Sequence, residues 1–248
     1  MRFAFIRLHW EKNVITGPYV NSLGIILGSL IGFILARAVP KRLHDSMPMI
    51  FGLCSMSMAV ILILKFSTLP VIILSCIIGT LIGELIYVER GINTAAAKMR
   101  SVAQWLAPGR QESVSQKEFL EVFVALIVLF CASGTGIVGA LNEGMNGDTS
   151  VLYTKSAMDF FAALLFSTRL GYVVAFIAVP QLIIQLSLAY AAILILPLTS
   201  ELMRNDFYAV GGMLMMATGL RICGIKIFPI ANMLPALVIV MPLSALWN

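Results

Sequence analysis

The chain has 248 residues, of which 60% are hydrophobic and only 12% are charged. Soluble domains carry about 25% charged residues, so the composition excludes an ordinary soluble domain and predicts an integral membrane protein. The net charge of +5 does not predict a nucleic-acid surface, because the basic residues lie in short connections between apolar runs, where they act as topology signals. The apolar runs are continuous, which favours helices over a barrel. We therefore predict an all-α, polytopic transmembrane helical bundle with about seven to eight spans.

Residues 1–16 are charged and lack a signal-peptide cleavage site. We interpret them as an N-terminal extension, either an amphipathic interfacial start or an artefact of an upstream start codon. Residues 17–248 are expected to form a single transmembrane domain. The first span (Pro18–Ala36) and the third (Leu69–Val88) repeat small residues every four positions, which lets another helix approach closely. We predict that these faces pack helices, within the chain or in a homodimer, through Gly24, Gly28, Gly32, Gly79 and Gly83.

The longest polar stretch, residues 89–117, follows the third span. It begins with apolar residues at helical spacing, which predicts an interfacial helix over 89–106 that lies on the membrane surface. A linker follows from Pro108 to Lys117. Counting Lys and Arg in alternate connections of an eight-span chain gives eleven on one side and six on the other. The positive-inside rule then makes the side with residues 89–117 cytoplasmic.

The second half of the chain holds five further apolar segments. The fifth span is the weakest because it contains Lys155 and Asp159, and we expect it to be re-entrant or broken. If it does not cross, the orientation of the C-terminal spans reverses. The second span is predicted at Met47–Leu64. The fourth to the eighth spans are predicted, in order, at Phe119–Leu141, Val151–Thr168, Tyr172–Leu196, Phe207–Ile222 and Ile230–Leu246.

Polar groups and glycines concentrate between Phe130 and Asp159. The run Ser133–Gly139 predicts a helix that unwinds, which membranes tolerate only around a cavity. Lys155 and Asp159 lie one helical turn apart, so they either neutralise each other or face a water-filled path. For Asn142 and Glu143 the alternative to a path role is an ordinary turn. For Gln185 and Asn232 the alternative is hydrogen bonding between packed helices. The predicted substrate or ion path comprises Ser133, Thr135, Asn142, Glu143, Lys155, Asp159, Gln185 and Asn232.

Enzyme motifs are absent from the sequence. It contains no HExxH, GxSxG or Walker pattern, and both histidines lie outside the predicted spans. The four cysteines lie in apolar runs without metal-ligand spacing. We therefore expect no catalytic residues, no metal site and no cofactor. The expected partners are the lipid bilayer and a small solute or ion, with no nucleic acid.

Long runs of this sequence resemble a known family. The runs are LFCASGTGIVGALNEGMNGD, AVGG at Ala209–Gly212, GLRICGIKIFPIANMLPAL at Gly219–Leu237, SMPMIFGL at Ser46–Leu53 and GTLIGELIYVE at Gly79–Glu89. They are similar to the YqgA/YdfK-like family of bacterial inner-membrane proteins, and the resemblance covers about Gly17–Trp247. It implies a multi-pass helical protein of the bacterial inner membrane. The family is of unknown function, so the resemblance implies no catalytic or binding residues.

Two functions are compatible with the sequence. The first is a transporter or channel for a small solute or ion, with its path near residues 133–159. The alternative is a non-transporting membrane scaffold or regulator that acts through the cytoplasmic interfacial helix.

Overall fold

The structure is a computed structural model, and it describes residues 15–36, 38–98, 123, 126–131 and 133–247. Every regular element in these ranges is helical, which confirms the predicted all-α class. Most of the predicted N-terminal extension lies outside the described residues. The predicted interfacial helix beyond Lys98 also lies outside them, as does its linker.

The described elements follow one another with short connections. Residues 126–131 are helical and precede α5. The 3₁₀ turns Gly171–Ile177 and Leu196–Leu198 lie before and after α7. In chain order the α-helices are α1 Gly17–Ile34, α2 Lys41–Ile63, α3 Leu69–Leu85, α4 Val88–Lys98, α5 Gly134–Asn146, α6 Ser150–Leu170, α7 Ala178–Ile195, α8 Glu201–Ile222, α9 Ile230–Met233 and α10 Pro235–Trp247.

Five helical stretches among the described residues are long and apolar enough to cross a membrane. The number rises to six if α3 and α4, which meet at a 56° bend, form one broken span. This confirms a multi-pass helical protein, with a lower count than the predicted seven to eight. One reason is that Ser150–Leu198 counts as a single stretch of 49 residues. A straight helix of that length would be more than twice as long as a bilayer core of about 30 Å.

Contacts with α1 show that the chain reverses within this stretch. Gly24 faces Ser156 and Gly32 faces Leu164, so α6 runs parallel to α1. The Phe33 ring then meets the ring of Tyr172 at 5.8 Å, while Ser22 near the other end of α1 donates a hydrogen bond to Gln181. Helix α7 therefore runs back along α1. The reversal occurs at Gly171, whose φ of 80° is a conformation that favours glycine.

The fifth segment was predicted to be re-entrant or broken, and the structure shows no break in it. Helix α6 is continuous over 21 residues, a length of about 32 Å that suffices to cross the hydrocarbon core. The charges of Lys155 and Asp159 suggested an interruption. They pair with each other one turn apart on the same face, so the helix accommodates them without unwinding.

The predicted glycine faces lie against other helices of the same chain. A Cβ atom at Gly28 would clash with the backbone carbonyl of Phe160 in α6, and one at Gly32 with that of Leu164. On α3, a Cβ at Gly79 would clash with the backbone of Ala236, and one at Gly83 with the carbonyl of Asn232. Both faces are occupied within one chain, so they are not free to pack a second copy.

The buried carboxylate of Asp206 holds the start of α3. Its Oδ1 accepts hydrogen bonds from the backbone N–H groups of Ser67 and Thr68 at 2.9 and 2.7 Å. Its Oδ2 accepts one from the Ser244 hydroxyl at 2.7 Å. The first N–H groups of a helix have no partner within that helix, so a side chain from α8 supplies one and fixes α3 and α10 to α8.

We expect the Asp206→Ala substitution to lower the unfolding free energy by about 2 kcal/mol or more. The reason is that hydrogen bonds to a charged group are lost while their donors stay buried. Thermal unfolding of the purified protein in detergent measures the change. Glu201→Ala, at an exposed position in the same helix, is the control and should unfold like the wild type. Equal stability of both variants would contradict the role given to Asp206.

Candidate functional site

The helix that was predicted to unwind is interrupted at Ser133. This residue is extended, with φ −73° and ψ 141°, between helical residues 126–131 and helix α5. Its hydroxyl accepts a hydrogen bond from the Gly136 N–H at 3.2 Å and so caps α5. The interruption therefore occupies the first position of the predicted Ser133–Gly139 run, and the remainder of that run is helical.

Side chains from α6 and α7 converge on the first turn of α5. A Cβ atom at Gly136 would lie 2.8 Å from Cε of Lys155, 3.2 Å from Nε2 of Gln185 and 3.2 Å from Oγ of Ser133. Any larger residue at position 136 would occupy the space between the Lys155 side chain and the Gln185 amide. Glycine at position 136 thus lets two polar side chains approach a helix N-terminus.

Lys155 and Asp159 form an ion pair inside the bundle. The two residues are 2% and 7% exposed, and the Nζ of Lys155 donates to Oδ2 of Asp159. Nζ also lies 5.9 Å from the centroid of the Phe130 ring, a cation–π distance. The pair carries no net charge, which is how a bilayer-spanning helix tolerates both residues.

Three buried amides on α1 and α7 have incomplete hydrogen bonding. Asn21 lies beside Asp159, yet neither its Nδ2 nor its Oδ1 has a partner in good geometry among the described residues. Both amide atoms of Gln185 also lack partners in this part of the chain, as does Nε2 of Gln181, whose Oε1 accepts from Ser22 at 2.8 Å. We call the following residues the polar cluster: Asn21, Ser133, Lys155, Asp159, Gln181 and Gln185.

Four of the eight predicted path residues come together in the polar cluster: Ser133, Lys155, Asp159 and Gln185. Thr135 lies two residues after the Ser133 cap but points elsewhere. Its hydroxyl is 3.2 Å from that of Ser55, which itself donates to the carbonyl of Met215 at 3.0 Å. Thr135 thus links α5 to α2 and α8 and does not line the cluster.

Glu143 lies at the far end of α5, where it caps another helix. Its Oε1 accepts hydrogen bonds from the N–H groups of Thr16 and Gly17 at 2.7 and 2.9 Å, at the start of α1. The carboxylate therefore compensates the positive end of that helix. The structure gives Glu143 a packing role away from the polar cluster.

Asn142 lies near the end of α5 and contacts the connection between α5 and α6. Its Nδ2 donates to Oδ2 of Asp148 at 3.1 Å, and its Oδ1 accepts from Asn146 at 3.2 Å. Asp148 in turn accepts from the N–H of Ser150 at 2.9 Å at the start of α6. These bonds are those of an ordinary turn, the alternative that the sequence left open for this segment.

The carboxyl of Asp148 provides a pH test of this turn. Burial raises its pKa. Hydrogen bonds from Ser150 and Asn142, together with the nearby charge of Lys65, lower the pKa by more than burial raises it, so the net pKa lies below the usual value. A carboxylate with a depressed folded-state pKa adds stability above its unfolded pKa of about 3.9 and loses it as pH falls through the folded value. Wild type should therefore be more stable than Asp148→Ala at pH 7, and the difference between their melting temperatures should be smaller at pH 3 than at pH 7. A gap that is equal at both pH values would contradict this assignment.

Asn232 lies at the opposite end of the bundle from Glu143. Its Oδ1 accepts a hydrogen bond from the N–H of Glu89 at 2.7 Å and so holds the start of α4. The carboxylate of Glu89 also accepts from Arg221 at 3.0 Å. Helix α4 covers the predicted interfacial segment as far as Lys98, and Asn232 fixes this helix to the bundle.

The chain matches one family model over residues 16–245, and that family is described as a protein of unknown function, DUF554. It is 51% identical over 235 residues to the uncharacterized protein YqgA of Escherichia coli (strain K12), covering 95% of this chain and 98% of that protein. The chain belongs to the DUF554 family. It is also 27% identical over 228 residues to the uncharacterized membrane protein YdfK of Bacillus subtilis (strain 168), covering 90% and 93%. No solved structure matches. These matches confirm the resemblance to YqgA and YdfK.

Sequence reasoning did not include two residues that the structure places in the polar cluster. Gln181 lies four residues before Gln185 on α7, and this spacing already puts both amides on one helix face. Asn21 offers no comparable signal, because its approach to Asp159 depends on the parallel packing of α1 on α6. That packing follows from the glycine face of α1.

A cleft of about 710 Å³ lies next to the polar cluster but is lined by apolar residues. Its walls include Ile137 of α5 and Ile184 of α7. Cys131 lines the cleft and lies within electrostatic range of Lys155 and Asp159. We place the candidate site in the polar cluster, because the cleft offers almost no polar group that would recognise a solute.

Proposed function

We propose that this membrane protein is a transporter or channel that moves a small solute or ion through the polar cluster at the α5 helix break. The observation that carries the proposal is the set of unpartnered amide atoms of Gln181 and Gln185, two side chains that are buried. A buried polar atom without a partner costs about 1–3 kcal/mol. Water or a bound solute would supply the missing partners.

The helix break supports the same proposal. The first N–H groups of α5 have no partner within that helix, and Ser133 accepts from the N–H of Gly136. Irregular backbone at membrane depth is tolerated where it is buried in protein or lines a hydrated cavity, and transporters place such breaks at solute sites. The break at Ser133 adjoins Lys155 and Gln185, so backbone and side-chain groups meet at one place.

The proposal includes a topology of eight crossings. Antiparallel α6 and α7 would cross separately, and α8 would cross because it packs along α2, with Gly52 against Gly219 and Ala59 against Gly212. The ends with Arg42, Arg90 and Arg221 then face the same side. The positive-inside rule makes that side cytoplasmic in a bacterial inner membrane.

Solute flux in proteoliposomes tests the proposal. We expect the wild type to accelerate the uptake of at least one solute from a panel of inorganic ions, small carboxylates and amino acids. Asp159→Asn should reduce that uptake at least tenfold. Asp148→Asn changes a carboxylate in the α5–α6 turn and should transport like the wild type. Leak equal to that of empty liposomes across the panel would refute the proposal.

A second candidate function is a scaffold or regulator that acts through α4. The supporting observation is that α4 leaves α3 at a 56° bend and exposes residues such as Arg90 and Asn93. An Arg90→Glu/Asn93→Asp variant should then lose a co-purifying partner while keeping its melting temperature. Unchanged co-purification, or the lack of any partner in the wild type, would reject this function.

A further inference from the structure

The surroundings of Gly136 combine two sources of positive potential. The first turn of α5 presents the positive end of a 13-residue helix. The Lys155 side chain approaches the same turn from α6, with its Cε 2.8 Å from where a Cβ of Gly136 would lie. The carboxylate of Asp159 compensates this potential, and it is held one turn further along α6.

The hydrogen-bonding groups around this point are rich in donors. Gln185 is 1% exposed, and its unpartnered Nε2 lies beside Gly136. Gln181 holds a further amide nitrogen without a partner among the described residues. The Lys155 ammonium has three N–H donors, of which the ion pair with Asp159 uses one. Such a set suits a ligand with several acceptor oxygens or a negative charge.

We infer that the solute taken by the polar cluster is a small anion, and that Asp159 takes up one proton when the anion displaces it from Lys155. The inference rests on the proposed function and adds a substrate class and a coupling ion to it. The anion would be held by the α5 N-terminus, the Lys155 ammonium and the Gln185 amide.

Charge balance requires the proton. In the structure the Lys155 ammonium and the Asp159 carboxylate sum to zero. If an anion takes the place of the carboxylate, the site holds one uncompensated negative charge, which a buried environment strongly disfavours. Protonation of the Asp159 carboxylate to a neutral carboxylic acid restores the sum to zero, with the anion paired to Lys155. One anion and one proton therefore enter together, and the transport step carries no net charge.

Few other groups near Asp159 can take the proton. In the described part of the chain, the titratable side chains that face it are Lys155 on its own helix and Cys131 of the helical residues 126–131. Helix α1 faces it with Asn21, which does not titrate. Helix α2 packs on α6 through apolar residues, among them Phe51. Among these groups the carboxylate is that of Asp159, so we assign the proton to it.

Proton uptake on anion addition tests the inference in the intact protein. Purified protein in weakly buffered detergent is mixed with sodium nitrate, chloride, phosphate, lactate or succinate at matched pH, and a pH dye records the change. We expect about one proton per protein for the anion that is transported. Asp159→Asn should abolish this uptake. Asp148→Asn, outside the cluster, should keep it.

Flux in proteoliposomes separates the inference from the proposed function. Uptake of the active anion should rise with an inward proton gradient and should not respond to a potassium–valinomycin potential. Asp159→Asn should make any remaining uptake independent of the proton gradient. Flux of cations or neutral solutes alone, or anion flux that follows the membrane potential without protons, would overturn the inference and leave the proposed function intact. Absence of all flux would overturn both.

Discussion

Replacing Asp159 alone with leucine lowers the free energy of unfolding by about 3–5 kcal/mol in this account, because the buried Lys155 ammonium loses its counter-charge. The Lys155→Met/Asp159→Leu double variant should recover most of that loss, since apolar residues of similar volume often replace a buried ion pair without net cost. Despite its recovered stability, the double variant should transport no solute. Chemical unfolding in detergent and flux in proteoliposomes provide the two measurements.

The double variant separates a packing role from a functional one. A pair that serves only to let α6 cross the bilayer predicts wild-type behaviour in the double variant for every readout. Retained flux in a well-folded double variant would therefore reject the placement of the path in the polar cluster. Met and Leu are chosen because they approximate the volumes of the residues that they replace.

Gly28→Val is expected to destabilise the protein by about 3 kcal/mol or to prevent its folding. A Cβ atom at this position would clash with the backbone carbonyl of Phe160, so α1 and α6 would have to separate. Separation would also move Asn21 of α1 away from Asp159 of α6. Melting temperature in detergent, together with monodispersity on size exclusion, measures the effect.

Gly91→Ala is the matched control for Gly28→Val. It also lies in a helix, but in the described part of the chain no atom beyond its own helical neighbours lies within 4 Å of its Cβ position. Alanine stabilises an exposed helix by about 0.5–1 kcal/mol relative to glycine, so the control should be as stable as the wild type or slightly more so. If Gly28→Val unfolds at the same temperature as this control, the parallel contact between α1 and α6 is wrong.

The class of the fold follows from sequence because it depends on composition and continuous apolar runs. The four-residue glycine spacing of α1 also indicates a packing face, though it does not identify α6 as the partner. The break at Ser133 was visible because helix-disfavouring residues cluster there. The connection predicted between the fifth and sixth spans, at residues 169–171, contains Gly171, where the structure places the reversal.

The candidate site was predictable only in part, for a physical reason. Lys155, Asp159 and Gln185 are conspicuous because polar groups in apolar runs are costly, and this signal depends on local sequence alone. Glu143 and Asn232 give the same signal, yet they cap α1 and α4. A polar residue that satisfies a distant helix end and one that lines a cavity look alike until the partner helix is placed.

The most direct test of the central claim is the reaction of a cysteine at position 185 with a small, charged, membrane-impermeant thiol reagent. The background is a chain whose native cysteines (Cys54, Cys76, Cys131 and Cys223) are replaced by alanine. Gln185→Cys should be modified in intact proteoliposomes, because water and solute reach the polar cluster. Ile183→Cys, on the same helix at a position 60% exposed toward lipid, should stay unmodified. A Gln185→Cys thiol as inert as that control would contradict the claim that an aqueous path enters this bundle.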